Sequence, residues 1–191
     1  DLSDAGYQGT VAVQARQTVE ETRWLLDMAS RYDFIRGVVG WADLCNTDNL
    51  RRQLDEFCTH EKFVGLRHVV HDEADDEFML RDDFLKGISM LKDYKLTYDL
   101  LLFPRHLIVA QKVVSMFPEQ PFVLDHISKP LIKDKIISPW KEDILLLAGN
   151  KNLWCKISGM VTEADWYNWN KNDFFPFLDI VVQAFGTRRI M

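Results

Sequence analysis

The 191-residue chain is 47% hydrophobic and carries 29 acidic against 23 basic residues, a formal net charge of -6. That is the composition of a globular domain with one sizeable core, and its negative balance argues against nucleic acid as a partner. No apolar run approaches the ~20 residues of a membrane span, and no basic-then-apolar leader opens the chain. Cys45, Cys58 and Cys155 are odd in number and lack a CxxC spacing, so they read as free thiols of a reducing cytoplasm.

The first predicted strand is 9–15, short, apolar and β-branched. Thr18 with Glu21 three residues on is a capping-box pattern. Trp24, Leu25, Met28 and Ala29 then recur at helical spacing. A second strand, 34–41, is followed by a helix over 48–60 with Leu50, Leu54 and Phe57 on one face. The third strand is 63–70. An acidic run, 71–77, reads as a solvated loop. A helix from 82 to about 94 leads to a fourth strand, 97–103, stopped by Pro104, and to a helix over 105–117. The fifth strand, 122–127, runs into Lys129 and Pro130. A helix over 140–148, a sixth strand over 153–158 and a Trp- and Asn-rich loop or lid over 159–172 follow. A last helix, 176–185, ends at Gly186, and 189–191 opens a seventh strand.

Strand starts near residues 10, 34, 63, 97, 122, 153 and 189 give the beat of repeated βα units, each long enough for a right-handed crossover. The strands are near-continuous apolar runs, as a sheet covered on both faces requires. An open doubly wound sheet and a (β/α)8 TIM-like barrel both fit the class α/β. The turn after the first strand, Arg16-Gln17-Thr18, lacks the glycines of a phosphate loop, which weakens the open sheet. A barrel needs about 250 residues. The expectation is therefore a single incomplete barrel domain over 1–191, short of its first strand and the end of its eighth. Unpaired strand edges in such a fragment would favour association, so a homo-oligomer is possible.

Polar residues gather at the strand ends: Gln14 and Arg16; Trp41 and Asp43; Arg67, His68 and His71; Asp125, His126 and Lys129; Lys156 and Ser158. A covered sheet has little reason to carry so many unless they line a site. Strand alternation would point His126 the same way as Leu124, into a barrel mouth, and Asp125 the other way. The alternative is a histidine satisfied within a loop. Tyr98 and Asp99 lie at the start of their strand and read as structural, while His60 and His106 read as surface residues. Trp166 and Trp169 are either a substrate lid or loop packing. No HExxH, H-x-H or cysteine cluster provides a metal motif, and no GxSxG provides a nucleophile elbow.

The strings GVVGWADL (37–44), GLRHVVHDE (65–73), LTYDLLLFPRHL (96–107), FVLDHISKP (122–130) and LWCKISGMVTEADW (153–166) together resemble the amidohydrolase-2 family. The branch they resemble is that of L-fucono-1,5-lactonase-like sugar lactonases. The resemblance covers nearly the whole chain, in order. It implies a distorted TIM barrel that hydrolyses a small-molecule sugar lactone by activated-water attack. It also implies a catalytic His126, which polarises the carbonyl or helps hold a divalent metal such as zinc. Arg67, Lys129, Gln14, Arg16, His68 and Trp166 are implied to meet the substrate. The family's H-x-H on the first strand and its aspartate on the last, the expected general base, are not in the chain, so the implied catalysis belongs to a longer parent. Two other readings stay open: a zinc-dependent aromatic-acid decarboxylase on the same barrel, and a truncated, non-catalytic sugar-acid-binding fragment.

Overall fold

A computed structural model describes every residue except Asp1 and Ser3. The described residues form two compact units, those up to His68 with Asp82–Asp99, and Val69–Arg81 with Leu100–Met191.

The first unit alternates strand and helix: β1 (Thr10–Val13), α1 (Val19–Arg31), β2 (Ile35–Gly40), α2 (Thr47–Phe57), β3 (Phe63–His68) and α3 (Asp82–Leu91), with most of β4 (Thr97–Leu100). β1, β2 and β3 pair in parallel, and β4 is the next strand beside β3. The apolar stripe of each helix faces the sheet. Val38, Leu50, Leu54, Phe57, Phe84, Ile88 and Tyr98 are all fully buried. Thr18 caps α1 as expected, its Oγ1 accepting the Glu21 N–H at 3.2 Å. The Glu21 carboxylate does not close the box on Thr18. It accepts the N–H groups of Ala15 and Arg16 at 3.0 and 2.6 Å and so fixes the turn leaving β1. Thr22 pins α1 to the end of β2: its hydroxyl donates to the Trp41 carbonyl and accepts the Trp41 N–H, both at 2.8 Å. Gly40 permits that approach, because a Cβ there would stand 2.5 Å from Thr22 Cγ2.

The second unit holds α4 (Leu107–Met116), β5 (Phe122–Leu124), α5 (Trp140–Leu147), β6 (Leu153–Cys155) and α6 (Phe175–Phe185). β5 and β6 pair in parallel, Phe122 opposite Leu153 and Leu124 opposite Cys155. A further parallel bridge joins Cys155 to Ile190, and the Ile157 N–H donates to the Met191 carbonyl at 2.8 Å. The expected seventh strand thus begins at the chain's last residues. Trp140 packs against Phe177 with ring centroids 5.4 Å apart.

All six strands end short of their predicted runs, β1 and β3 by two residues, β2 by one and three others by three. The strand expected over 97–103 ends at Leu100, that over 122–127 at Leu124, and that over 153–158 at Cys155. Val70, Leu101, Leu102 and Ile127 remain buried beyond the last paired residues of their strands. Hydrophobicity marks burial there, not strand pairing. The helix expected from 105 starts with a 3-10 turn, Pro104–His106, before α4. The acidic run is punctuated by 3-10 turns at Val70–Asp72 and Phe78–Leu80.

Candidate functional site

In the first unit the strand-end residues bond to one another, although the buried Gln14 Oε1 has no hydrogen-bond partner. Gln14 is fully buried, and its Nε2 donates to the Arg67 carbonyl at 3.0 Å. Arg67 Nη2 donates in return to the Gln14 carbonyl. These reciprocal bonds tie the end of β1 to the end of β3. The Trp41 indole N–H donates to Nδ1 of the buried His68 at 3.2 Å, and Phe84 stands edge-on to the His68 ring. Arg16 is exposed; its backbone N–H is the group held by Glu21. Tyr98 is buried, and desolvation raises its pKa.

The second unit is built differently. β5 stops at Leu124, and the next residues leave extended backbone altogether. His126, Ile127, Ser128 and Lys129 all take left-handed φ values, 54°, 47°, 58° and 49°. The alternation that would align His126 with Leu124 therefore does not operate. Left-handed backbone costs roughly 1–2 kcal/mol for each non-glycine residue, and a β-branched Ile127 there is a genuine outlier. Four in succession persist only where surrounding bonds over-determine them. Those bonds are present. The Ile127 N–H donates to the Lys156 carbonyl at 3.1 Å, and the Trp140 indole donates to the Ile127 carbonyl at 2.9 Å. The Lys129 N–H closes the turn on the His126 carbonyl at 2.9 Å. Asp125, with no exposed side-chain surface, meets Lys156 Nζ at 2.6 Å.

This turn presents His126 and Lys129 three residues apart. His126 Nδ1 lies 2.9 Å from the Ser158 hydroxyl, which comes from the loop after β6. Lys129 Nζ faces Glu163 at 3.6 Å and stands 5.5 Å from the centre of the Phe103 ring. Phe103, Pro104, Arg105, Lys129, Leu131 and Glu163 line an open cleft of about 640 Å³. Its walls are apolar and its charges come in both signs. That chemistry suits a small molecule with an apolar ring face and several hydroxyls. Trp166 is 72% exposed, with its indole N–H on the Thr162 carbonyl at 3.0 Å. It lines a second cleft of about 400 Å³ that shares Leu131 and Glu163 with the first.

Sequence reasoning placed His106 at the surface, and the structure corrects this: the residue is fully buried. Its Nδ1 accepts the Phe103 N–H at 3.1 Å, so its Nε2 carries the proton donated to Asp76, also at 3.1 Å. Burial and the Arg105 charge pull its pKa below the ordinary imidazole value, against the opposing pull of Asp76. The Arg105 hydrogen bond lowers Asp76 in turn. The acidic loop is thereby buttoned onto the 3-10 turn that follows Phe103. No local pattern revealed this, because Asp76 is thirty residues upstream of its partner. Ser158 and Glu163 also escaped assignment as site residues, although Ser158 stands in the polar set at the end of the sixth strand. Cys155 is fully buried, and burial pushes its thiol up to about 12.

The sequence pattern of the Amidohydrolase family matches residues 1–191. The chain belongs to the amidohydrolase family. Among curated relatives, L-fucono-1,5-lactonase of Burkholderia ambifaria is 37% identical over all of this chain and 65% of its own length. L-fucono-1,5-lactonase of Burkholderia multivorans is 34% identical over 95% of this chain and 64% of its own length. The chain thus spans just under two thirds of these relatives. A crystal structure of an amidohydrolase from Burkholderia multivorans with bound HEPES superposes over the whole chain and 69% of its own, at 34% identity and a TM-score of 0.93. A second crystal form of that target, with bound zinc, gives 0.89. The fold of this amidohydrolase is accordingly α/β, an incomplete TIM-like barrel with six parallel strands.

The zinc in that relative raises the question of ligands in this chain. Among the described residues, no group of three or more His, Cys, Asp or Glu side chains is disposed to hold a metal ion. His126 is held by a serine, and Asp125 is committed to Lys156. The described residues by themselves do not fit a zinc site. No helix among them is long and apolar enough to cross a membrane.

Proposed function

We propose that this amidohydrolase opens a sugar lactone, with L-fucono-1,5-lactone the first substrate to test. Two relatives of that name support the substrate class. The observation that supports the chemistry is the strained turn that carries His126 and, three residues on, Lys129, which lines the Phe103 cleft. Strain maintained at a strand end is characteristic of functional sites.

In the proposed reaction, water adds to the lactone carbonyl carbon and the carbonyl electron pair moves onto oxygen. Collapse breaks the ring C–O bond, and the proton taken from water ends on the released hydroxyl. His126 donates a hydrogen bond to the carbonyl oxygen as negative charge develops there, the kind of stabilisation that contributes most to acyl transfer. Lys129 holds substrate oxygens at the rim of the cleft, and Phe103 packs against the ring. Glu163 and Asp125 each face an ammonium group, and neither is assigned as the base for the attacking water. A substrate-binding role for Arg67, Gln14, Arg16, His68 and Trp166 rests on their strand-end and loop positions. Arg67→Lys keeps the charge but loses the planar fork, and is expected to raise KM more than it lowers kcat.

The test is hydrolysis of a panel of 1,5- and 1,4-sugar lactones by the longest reading frame that encodes this chain, corrected for spontaneous opening, beside a panel of aromatic acids scored for CO2 release. Lactone turnover with no decarboxylation is expected. Decarboxylation without lactone turnover would replace this reading with the decarboxylase, and silence on both panels would leave a binding fragment.

A further inference from the structure

Two consecutive residues after β6 act on a single ring in the loop after β5. Ser158 Oγ sits 2.9 Å from His126 Nδ1. Gly159 takes φ +76°, and a Cβ built on it would stand 2.8 Å from His126 Cβ, Cγ and Nδ1 alike. A side chain at 159 would therefore be disfavoured twice, by its backbone conformation and by collision with the imidazole. The His126 backbone is itself left-handed, at φ 54°. Three costly or specific features converge on the placement of one imidazole. A histidine merely satisfied in a loop requires only one hydrogen bond.

We propose that Ser158 and Gly159 are positioning residues for His126. Ser158 donates its hydroxyl proton to Nδ1 and so holds the ring neutral with its own proton on Nε2. Gly159 leaves the space in which the ring lies in that orientation.

A neutral imidazole has one donor and one acceptor nitrogen, and a hydroxyl plays either part. Geometry alone permits Nδ1 to donate or accept. The chemistry separates the two arrangements, and here the inference rests on the lactonase reading. Stabilising a developing oxyanion requires an N–H aimed at the carbonyl oxygen. With Nδ1 occupied by Ser158, that N–H is Nε2–H, and Nδ1 must then accept. Neutral imidazole is an established electrophile in such a role. Ser158 is also exposed, so its replacement leaves the core intact.

The test is 15N NMR of imidazole-labelled protein from the longest reading frame, with the His126 signals assigned by their loss in His126→Asn. Wild type should show protonated Nε2 and unprotonated Nδ1 at neutral pH. Ser158→Ala should lose that single tautomer and lower kcat by about tenfold to a hundredfold at unchanged KM, the usual scale for removing the partner that orients a histidine. Ser158→Thr, which keeps the hydroxyl, should restore both. Gly159→Ala should move the His126 signals and lower kcat. A wild-type ring with its proton on Nδ1, or a Ser158→Ala protein with an unchanged tautomer, would overturn the proposal. The expected tautomer without lactone turnover would uphold the positioning and defeat the lactonase reading instead, so the two failures are distinguishable.

Discussion

The two units solve the same problem, holding polar residues at the ends of parallel strands, by opposite means. In the first, Gln14 and Arg67 exchange hydrogen bonds with each other's backbone, and Trp41 donates to His68. Backbone geometry stays ordinary there. In the second, a buried ion pair and an indole donor maintain four left-handed residues that include the half-buried His126 and Lys129. The first arrangement ties strand ends together with ordinary backbone and leaves the buried Gln14 Oε1 without a hydrogen-bond partner, whereas the second spends conformational energy to place its polar groups. Energy spent in this way points to the second unit as the place where chemistry is done.

That contrast can be broken by mutation. The largest effect on stability is expected from Asp125→Ala. It removes the fully buried carboxylate that meets Lys156 Nζ at 2.6 Å, and breaking a buried ion pair costs about 3–5 kcal/mol. Chemical denaturation measures it; a loss below about 1 kcal/mol would show that the left-handed turn needs no such anchor. In the first unit, Gln14→Ala removes the donor to the Arg67 carbonyl and should cost about 1–3 kcal/mol. A larger loss there than at Asp125 would reverse the comparison.

A smaller effect is expected from pH. The buried His106 titrates below its unfolded value of 6.5. Below pH 6.5 the unfolded chain takes up a proton that the folded ring refuses, so stability is fully present above that pH and falls as pH drops. The slope is at most about 1.4 kcal/mol per pH unit. His106→Gln should flatten the profile between pH 7 and 5, as read by thermal melts across that range. An unchanged slope would remove His106 as its source.

The order of strands and helices was legible in the sequence because β-branched runs and amphipathic spacing alternate along the whole chain. Strand ends were not, since Leu101, Leu102 and Ile127 are as buried outside the strands as within them. The left-handed turn left no trace either. His-Ile-Ser-Lys contains neither glycine nor asparagine, the residues that usually mark positive φ. His126 and Lys129 stood out because titratable groups followed a buried strand. Which side chains they meet was not legible, because Ser158, itself in the strand-end polar set, and Glu163 lie more than thirty residues downstream, and one sequence carries no sign of which distant side chain meets which.

The central claim is that the turn after β5 exists to present His126 to a reacting carbonyl. Steady-state kinetics on the lactone that wild type turns over fastest tests it most directly, with His126→Ala compared at equal folded concentration. The account predicts a fall in kcat of about a hundredfold or more, with KM changed far less. Turnover by His126→Ala at the wild-type rate would contradict it and make the turn a structural feature only.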